Sequence, residues 1–206
     1  MPATIDHLLW GAPDLAAAVA DLERRTGVLA APGGRHPDLG THNALARLGR
    51  HMFLEVLAPD PGLKAGGLAT HLASLPGPRL VMWAVAAPTA DVTSRAAAAE
   101  FQAAVVPGHR RRPDGTFARW TNVFVSGHGA GTMVPFFIEW HDAPHPADDA
   151  PAGLRLASFA LETPRPAPLR AVLRALDVKA TVRRAEAERL VAVVDSPRGR
   201  VELVGP

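Results

Sequence analysis

The chain has 206 residues, a formal net charge of +2 and no cysteine, with 48% apolar and 20% charged residues. This composition is typical of a folded globular protein, and the lack of cysteine excludes disulfides, thiolate metal sites and cysteine nucleophiles. No apolar run approaches the roughly 20 residues of a membrane helix, and the N-terminus lacks the basic and apolar regions of a signal peptide. We therefore expect a cytoplasmic protein.

The one basic cluster is formed by three consecutive arginines, residues 110–112. It lies in a segment rich in proline and glycine and has no aromatic residues between the arginines. Nucleic-acid surfaces usually combine a broader basic patch with a recognisable motif. We interpret this cluster as a solvated loop and expect neither a nucleic-acid nor a membrane partner.

The first predicted unit, residues 4–59, has the element order β-α-β-β-β. Its helix follows Pro13, and Leu15, Val19 and Leu22 recur on one helical face, which is typical of an amphipathic helix that packs on a sheet. The predicted strands are 4–10, 28–31, 41–48 and 51–57, and the predicted helix is 15–25.

The same order recurs in residues 80–142 and, in a shorter form, in residues 154–206. Linkers rich in glycine and proline separate the units, at residues 60–78 and 143–153. The predicted elements of the second unit are strand 80–85, helix 91–103, and strands 104–107, 117–126 and 134–140. Those of the third are strand 156–161, helix 168–176, and strands 179–184, 190–195 and 200–204.

Each unit ends in a short apolar strand that contains one glutamate and stops near a proline. The three glutamates are Glu55, Glu139 and Glu202. Internal repetition of this length indicates a fold built from equivalent units. A repeated glutamate at an equivalent position is also where such a fold would assemble a site.

A single βαβββ unit covers one face of its sheet with its helix and leaves the other face and an edge without partners. Two such units side by side would make a cup-shaped mixed sheet with the helices outside. The predicted class is therefore α+β, with residues 1–142 as a paired domain and residues 154–206 as a third unit. We expect the third unit to cover an edge or to pair with a second chain, which would give a homodimer.

Four segments of the first unit are similar to one known family. They are residues 5–10, 32–37, 40–45 and 53–59. They resemble the glyoxalase-like domain family of the vicinal-oxygen-chelate superfamily, which also contains glyoxalase I, extradiol dioxygenases and bleomycin-binding proteins. The resemblance implies paired βαβββ units around a divalent metal, with ligands from the first and last strands of each unit.

The resemblance implies that His7, Glu55 and Glu139 are metal ligands, because they occupy the corresponding strand positions. The fourth position holds Met82, whose thioether is a poor ligand for the Zn, Mn, Fe, Ni or Co ions suited to such a site. Glu139, once displaced from the metal, could act as the catalytic base. The alternative is a metal-free cup in which both glutamates are hydrogen-bonded or solvated.

Polar residues also crowd a glycine-rich loop and the strand after it: Arg35, His36, His42 and Asn43. Arginine can bind a carboxylate through two hydrogen bonds, histidine can exchange protons near neutral pH, and asparagine can bind a carbonyl. We expect these four residues to bind substrate and His42 to be catalytic. The alternative is a turn stabilised by side-chain to backbone hydrogen bonds.

The sequence leaves two main functions open, and a repeat-built scaffold without a ligand is a weaker third. The first is a metal-dependent lyase, isomerase or dioxygenase that acts on a small oxygenated metabolite. The second is a metal-free protein that binds or sequesters a small molecule. We further expect Trp83 to face the helices, and we expect His141, Asp142 and His145 to be exposed because they lie in a proline-rich linker.

Overall fold

The computed structural model describes residues 4–111, 115–142 and 144–206. The strands are β1 (Thr4–Gly11), β2 (Ala31–His36), β3 (Thr41–Gly49), β4 (Met52–Pro59), β5 (Arg79–Ala86), β6 (Gln102–Arg111), β7 (Phe117–Ser126), β8 (Phe136–Trp140), β9 (Arg155–Thr163), β10 (Thr181–Arg184), β11 (Arg189–Ser196) and β12 (Gly199–Gly205). The helices are α1 (Leu15–Thr26), α2 (Gly67–Ala73), α3 (Thr89–Ala98), α4 (Pro146–Asp149) and α5 (Pro166–Ala175). None of the helices in these ranges is long and apolar enough to cross a membrane.

The ends of α1 follow from local side-chain chemistry. The carboxylate of Asp14 accepts a hydrogen bond from the backbone N–H of Ala17 at 2.7 Å, which caps the first turn. At the other end, Gly27 adopts a left-handed backbone with φ of 76° and closes the helix. The helix buries Leu22 against the sheet, so the predicted amphipathic face is the packed face.

Strands β1 to β8 form one sheet in the order β2-β3-β4-β1-β5-β8-β7-β6. In each unit the first strand pairs in parallel with the last, and the remaining pairs are antiparallel. The antiparallel pair of β1 and β5 joins the two units at the centre. The units therefore share one strand order, and the predicted α+β fold with paired βαβββ units is confirmed.

The sheet curls strongly into a half-barrel with two different faces. On the outer face, Leu8, Leu54 and Trp83 pack in one apolar core with α1 and α3, as predicted for Trp83. On the inner face, Leu72 of α2 packs over one part of the cup. The edge strands β2 and β6 approach each other, and the guanidinium of Arg110 donates a hydrogen bond to the carbonyl of Gly33.

The third segment has the predicted chain order but different pairing. Its strands form a separate sheet in the order β10-β9-β11-β12, in which the last strand pairs with β11 rather than with the first strand. This sheet packs on the outer face of the main sheet, where Phe159 lies 5.1 Å from Trp83 between ring centroids. Our expectation that it covers an edge is therefore wrong.

The third sheet packs on the main sheet because it has an apolar face of its own. Phe159, Leu161, Leu190 and Leu203 are all buried in the same core as the outer face of the main sheet. The third segment thus buries its apolar face against its own chain. A second chain is not needed for that purpose, and the homodimer stays a prediction.

A substitution at Gly205 should test this docking. A Cβ atom at Gly205 would clash with the carbonyl oxygen of Leu80 in β5, and backbone cannot move aside as a flexible side chain can. We expect Gly205→Ala to lower the free energy of unfolding by about 1–3 kcal/mol or more. Gly77→Ala is the control, because nothing lies within 4 Å of its Cβ position. Equal urea unfolding curves for the two variants would contradict the docking.

Candidate functional site

A cavity of about 310 Å³ occupies the inner face of the curled sheet. Both units contribute to its walls, and the loop after β2, helix α2 and Pro146 complete them. Its lining is mainly apolar and aromatic. One group of polar side chains comes from β1 to β4, and β6 and β7 add His109, Arg110 and Asn122. A concave apolar pocket with a few convergent polar groups is the usual form of a small-molecule site.

The polar group begins at an irregularity in β1. Ile5 pairs with Val85 and His7 pairs with Ala84, so Asp6 is an extra residue in the pairing with β5. Such a bulge interrupts the alternation of side chains along a strand. As a result Asp6 and His7, although adjacent in sequence, contact each other through their side chains, with Asp6 Oδ1 2.6 Å from His7 Nδ1.

Asp6 is almost completely buried and accepts hydrogen bonds from three described side chains. Besides His7, the donors are Trp140 Nε1 at 3.0 Å and His145 Nε2 at 3.1 Å. Burial by itself would raise the pKa of Asp6, but the hydrogen bonds from His145 and His7 outweigh it and lower the pKa to about 2. Asp6 is therefore an anion near neutral pH.

The tautomers of the two histidines follow from these contacts. Nδ1 of His145 accepts a hydrogen bond from the backbone N–H of Ala147 at 3.1 Å, so Nε2 carries the proton donated to Asp6. An ionised Asp6 can only accept, so Nδ1 of His7 is also a donor. This leaves Nε2 of His7 directed to Glu55, whose Oε2 lies 3.7 Å away.

Glu55 is oriented from its other side by Asn43. The amide Nδ2 of Asn43 donates a 2.5 Å hydrogen bond to Oε1 of Glu55 and lies 3.5 Å from Nε2 of His36. His36 is further held by Thr41, whose Oγ1 is 3.0 Å from Nδ1. Burial lowers the pKa of His36, although the nearby Glu55 opposes this shift, so His36 is neutral around pH 7.

The structure thus brings together four of the residues that the sequence suggested for a site: His7, His36, Asn43 and Glu55. Glu139 is not among them, so its roles as catalytic base and metal ligand stay predictions that its position does not support. Ile138 and Trp140 line the cavity, so Glu139 between them points to the outer face, because side chains alternate along a strand. There its Oε2 accepts a hydrogen bond from the backbone N–H of Thr89 at the start of α3, which lowers the pKa of Glu139.

Arg35 and His42 also lie outside the cavity lining, so their roles in substrate binding and catalysis stay predictions that their positions do not support. They are cross-strand partners on β2 and β3, and they alternate with the cavity residues His36 and Asn43. Arg35 instead binds Asp60 through two hydrogen bonds of 2.5 and 3.0 Å. Side-chain alternation along β2 and β3 therefore places Arg35 and His42 on one face of the sheet and His36 and Asn43 on the other.

Sequence reasoning missed Asp6, His145 and the aromatic wall formed by Trp120 and Trp140. Asp6 is adjacent to His7 in an apolar strand. In a regular strand the two side chains would point to opposite faces, so the sequence would indicate a buried pair only if a bulge were assumed. His145 was expected to be exposed, but its side chain is 13% accessible because it reaches Asp6 across the cup. No sequence periodicity would have indicated that contact, which joins residues 139 positions apart.

The implied metal set does not fit these residues. In the second unit, the inner-face positions that correspond to His7 and Glu55 hold Met82 and Phe136, neither of which suits a hard or borderline divalent ion. Within the described ranges, no three His, Asp or Glu side chains are arranged to hold a metal ion. One histidine and one carboxylate remain, and both are engaged by neighbouring side chains.

A half-barrel sheet of two βαβββ units with a cavity on its inner face defines the vicinal-oxygen-chelate class of protein. The sequence matches the family model described as "Glyoxalase-like domain" over residues 5–190. The chain therefore belongs to the glyoxalase-like domain family, and the matched span includes most of the third segment. No curated protein matches the sequence significantly.

Solved structures share the fold at low sequence identity. A hypothetical protein from Staphylococcus aureus has a TM-score of 0.67 and 10% identity, with 90% of this chain and 88% of that chain covered. A mutant of 4-hydroxymandelate synthase from Streptomyces coelicolor has a TM-score of 0.53 and 16% identity over 98% of this chain and 62% of that chain. A methylmalonyl-CoA epimerase variant from the same organism has a TM-score of 0.50 and 14% identity over 70% and 100%. These similarities establish the fold alone.

The buried Asp6 should make stability depend on pH. Its pKa is lowered on folding, so its contribution is complete above the ordinary carboxyl pKa and is lost as the pH falls toward about 2. Between about pH 6 and pH 3, wild type should lose about 1 kcal/mol more unfolding free energy than Asp6→Asn. Urea unfolding at each pH measures this, with the exposed Glu186→Gln as the control. Parallel pH profiles for wild type and Asp6→Asn would contradict the assignment.

Proposed function

We propose that this protein is an enzyme that binds a small oxygenated metabolite in the cup and transfers a proton to or from it, as a lyase or an isomerase does. The observation that supports this proposal is the chain of side chains Asp6, His7 and Glu55 at the cavity wall. An imidazole that is oriented by a carboxylate, as His7 is by Asp6, can act as a general acid or base.

Each member of the chain has a separate task in this proposal. Asp6 keeps the proton on Nδ1 of His7 and stabilises the imidazolium form when Nε2 receives a proton. Glu55, oriented by the 2.5 Å hydrogen bond from Asn43, either removes a proton from the carbon next to a substrate carbonyl or returns it. His7 Nε2 lies 3.7 Å from Glu55 Oε2, so the two groups exchange that proton through one bridging water or after a small approach to hydrogen-bond distance.

The walls support proton transfer by restricting access of water. His7 stacks on Phe53 with ring centroids 4.6 Å apart, and Phe136 meets its edge at 5.5 Å. Low polarity around a charge pair strengthens its electrostatic interactions. An apolar wall would also protect a carbanion-like intermediate from competing protonation by solvent.

We propose that this reaction uses no resident metal. A proton transfer needs only the side chains present, whereas a dioxygenase would need a metal site that the donor set in the cup does not provide. The lyase or isomerase function is therefore preferred over the dioxygenase. The second candidate is a binding protein without catalysis, which the apolar lining of the same cavity favours.

Solvent-deuterium exchange tests the catalytic proposal. Hydroxyacetone, acetoin, phenylacetone and phenylpyruvate are incubated in D₂O, and loss of the hydrogen next to the carbonyl is followed by NMR. We expect wild type to accelerate exchange of at least one compound, and Glu55→Gln and His7→Gln to lower that rate by about 10²-fold or more.

The chain offers matched controls for both substitutions. Glu139→Gln and His42→Gln remove the same functional groups from positions outside the cavity and should keep the exchange rate within about threefold of wild type. A Glu55→Gln variant as active as wild type would contradict the proposal. Absence of exchange with all four compounds would favour binding without catalysis.

Metal content is the test of the metal-free assignment. Protein produced with added Mn, Fe, Ni, Zn or Co should carry less than about one-tenth equivalent of metal, and a chelator should leave its thermal stability unchanged. Elemental analysis and thermal unfolding with and without the chelator measure both. One bound equivalent that is lost together with stability in Glu55→Gln would overturn the assignment.

A further inference from the structure

Aromatic side chains form much of the cavity wall next to the Asp6–His7–Glu55 chain. Five of the eleven phenylalanine and tryptophan residues of the chain line this one cavity. They are Phe53, Trp120, Phe124, Phe136 and Trp140. Aromatic side chains pair with other rings in stacked or edge-to-face arrangements and add stabilisation beyond simple apolar burial.

Four of these rings pair with one another and together form an aromatic wall of the cavity. Trp120 and Trp140 lie 5.3 Å apart between centroids at an interplanar angle of 55°, and Phe124 and Phe136 stack 5.4 Å apart at 25°. Trp140 is also fixed through its indole N–H by Asp6. The wall is therefore oriented by the same carboxylate that orients the proposed acid–base group.

The opening of the cavity is apolar as well. Leu39, Val106 and Phe124 line the cavity, yet they are 42%, 44% and 37% exposed. These three account for half of the six large apolar side chains that the described residues expose. Exposed apolar side chains grouped at a pocket entrance indicate a ligand that covers them when it binds.

One buried polar atom on this wall lacks a partner. Oδ1 of Asn122 is shielded from solvent and accepts no hydrogen bond from any described residue. Asn122 lies on β7 between the cavity residues Trp120 and Phe124, with its side chain lining the same cavity. An unpartnered buried oxygen costs free energy, and rotation of the amide toward the cavity would let a hydroxyl or N–H of a ligand satisfy it.

We propose that the substrate of this site is a ring-bearing, weakly polar molecule that carries a hydroxyl group, with Asn122 as the residue that recognises the hydroxyl. This inference rests on the proposed function and names its substrate class. The ring lies against Trp120 and Trp140, the hydroxyl donates to Asn122, and the reacting carbonyl faces Glu55 and His7. His109 and Arg110 also line the cavity, but the lining is mainly apolar, so we expect highly polar conjugates such as coenzyme A esters or glutathione adducts to bind more weakly.

Equilibrium binding tests this substrate class independently of turnover. The probes are 1-naphthol and 1-fluoronaphthalene, which have the same ring and differ in the hydroxyl donor, together with coenzyme A and glutathione. Titrations by calorimetry use Glu55→Gln as well as wild type, because the substitution removes the proposed base and leaves the aromatic wall. If Glu55→Gln still binds the naphthalene probes, recognition does not depend on catalysis. Failure of the substrate-class proposal can then be distinguished from failure of the catalytic proposal.

We expect 1-naphthol to bind wild type and Glu55→Gln about five- to tenfold more tightly than 1-fluoronaphthalene, as one additional hydrogen bond predicts. Asn122→Ala should abolish this preference. Thr121→Ala is the matched control, since Thr121 is adjacent on β7, lies outside the cavity lining and should leave the preference unchanged.

The indole N–H resonances locate the bound probe. The chain has four tryptophans, and ¹H–¹⁵N spectra should show shifts for Trp120 and Trp140 upon addition of 1-naphthol. Trp10 and Trp83 belong to the outer core and should not shift, while Trp120→Phe and Trp140→Phe assign the signals. Tighter binding of coenzyme A or glutathione than of 1-naphthol, equal affinity for the two naphthalenes, or shifts confined to Trp10 and Trp83 would each overturn the proposal.

Discussion

The site depends on one irregularity in the backbone, the bulge at Asp6. Without the extra residue, strand alternation would place Asp6 and His7 on opposite faces of the sheet. With it, a buried carboxylate meets His7, Trp140 and His145 at once. Asp6 thereby connects three parts of the chain: the first strand of unit one, the last strand of unit two, and the segment that begins α4.

This carboxylate is stable as an anion only because its partners are positioned before any ligand binds. An ionised group in an apolar interior is costly unless hydrogen bonds compensate for the lost hydration. Three N–H donors from described side chains provide that compensation. Their positions require the two units to be joined through β1 and β5, so the integrity of the proposed acid–base group is tied to the assembly of the whole cup.

The outer face contributes to the site indirectly. The third segment packs its own sheet against the convex side of the main sheet, next to α1 and α3. The main sheet is therefore covered on its outer face by helices and strands, and the inner face is left for the cavity. The match of the family model across residues 5–190 is consistent with this arrangement, because the third segment is part of the same packed body.

Much of the fold was predictable because it rests on local patterns. The proline before α1, the apolar face of that helix and the recurrence of the same element order indicated two units of β-α-β-β-β order. The pairing in the third segment was not predictable from the same patterns. Its chain order is the same, but long-range packing of its apolar face decides which strands become neighbours.

The sequence by itself determined the two paired units and the segments that contribute polar residues to the cup: β1, the end of β2, β3 and β4. Only the tertiary structure decided which polar residues face the cavity. Side chains alternate at every residue of a strand, so a shift of one position moves a group to the opposite face. That is why Glu139, Arg35 and His42 lie outside, and why the bulge at Asp6, which depends on pairing with β5, brought an unexpected carboxylate into contact with His7.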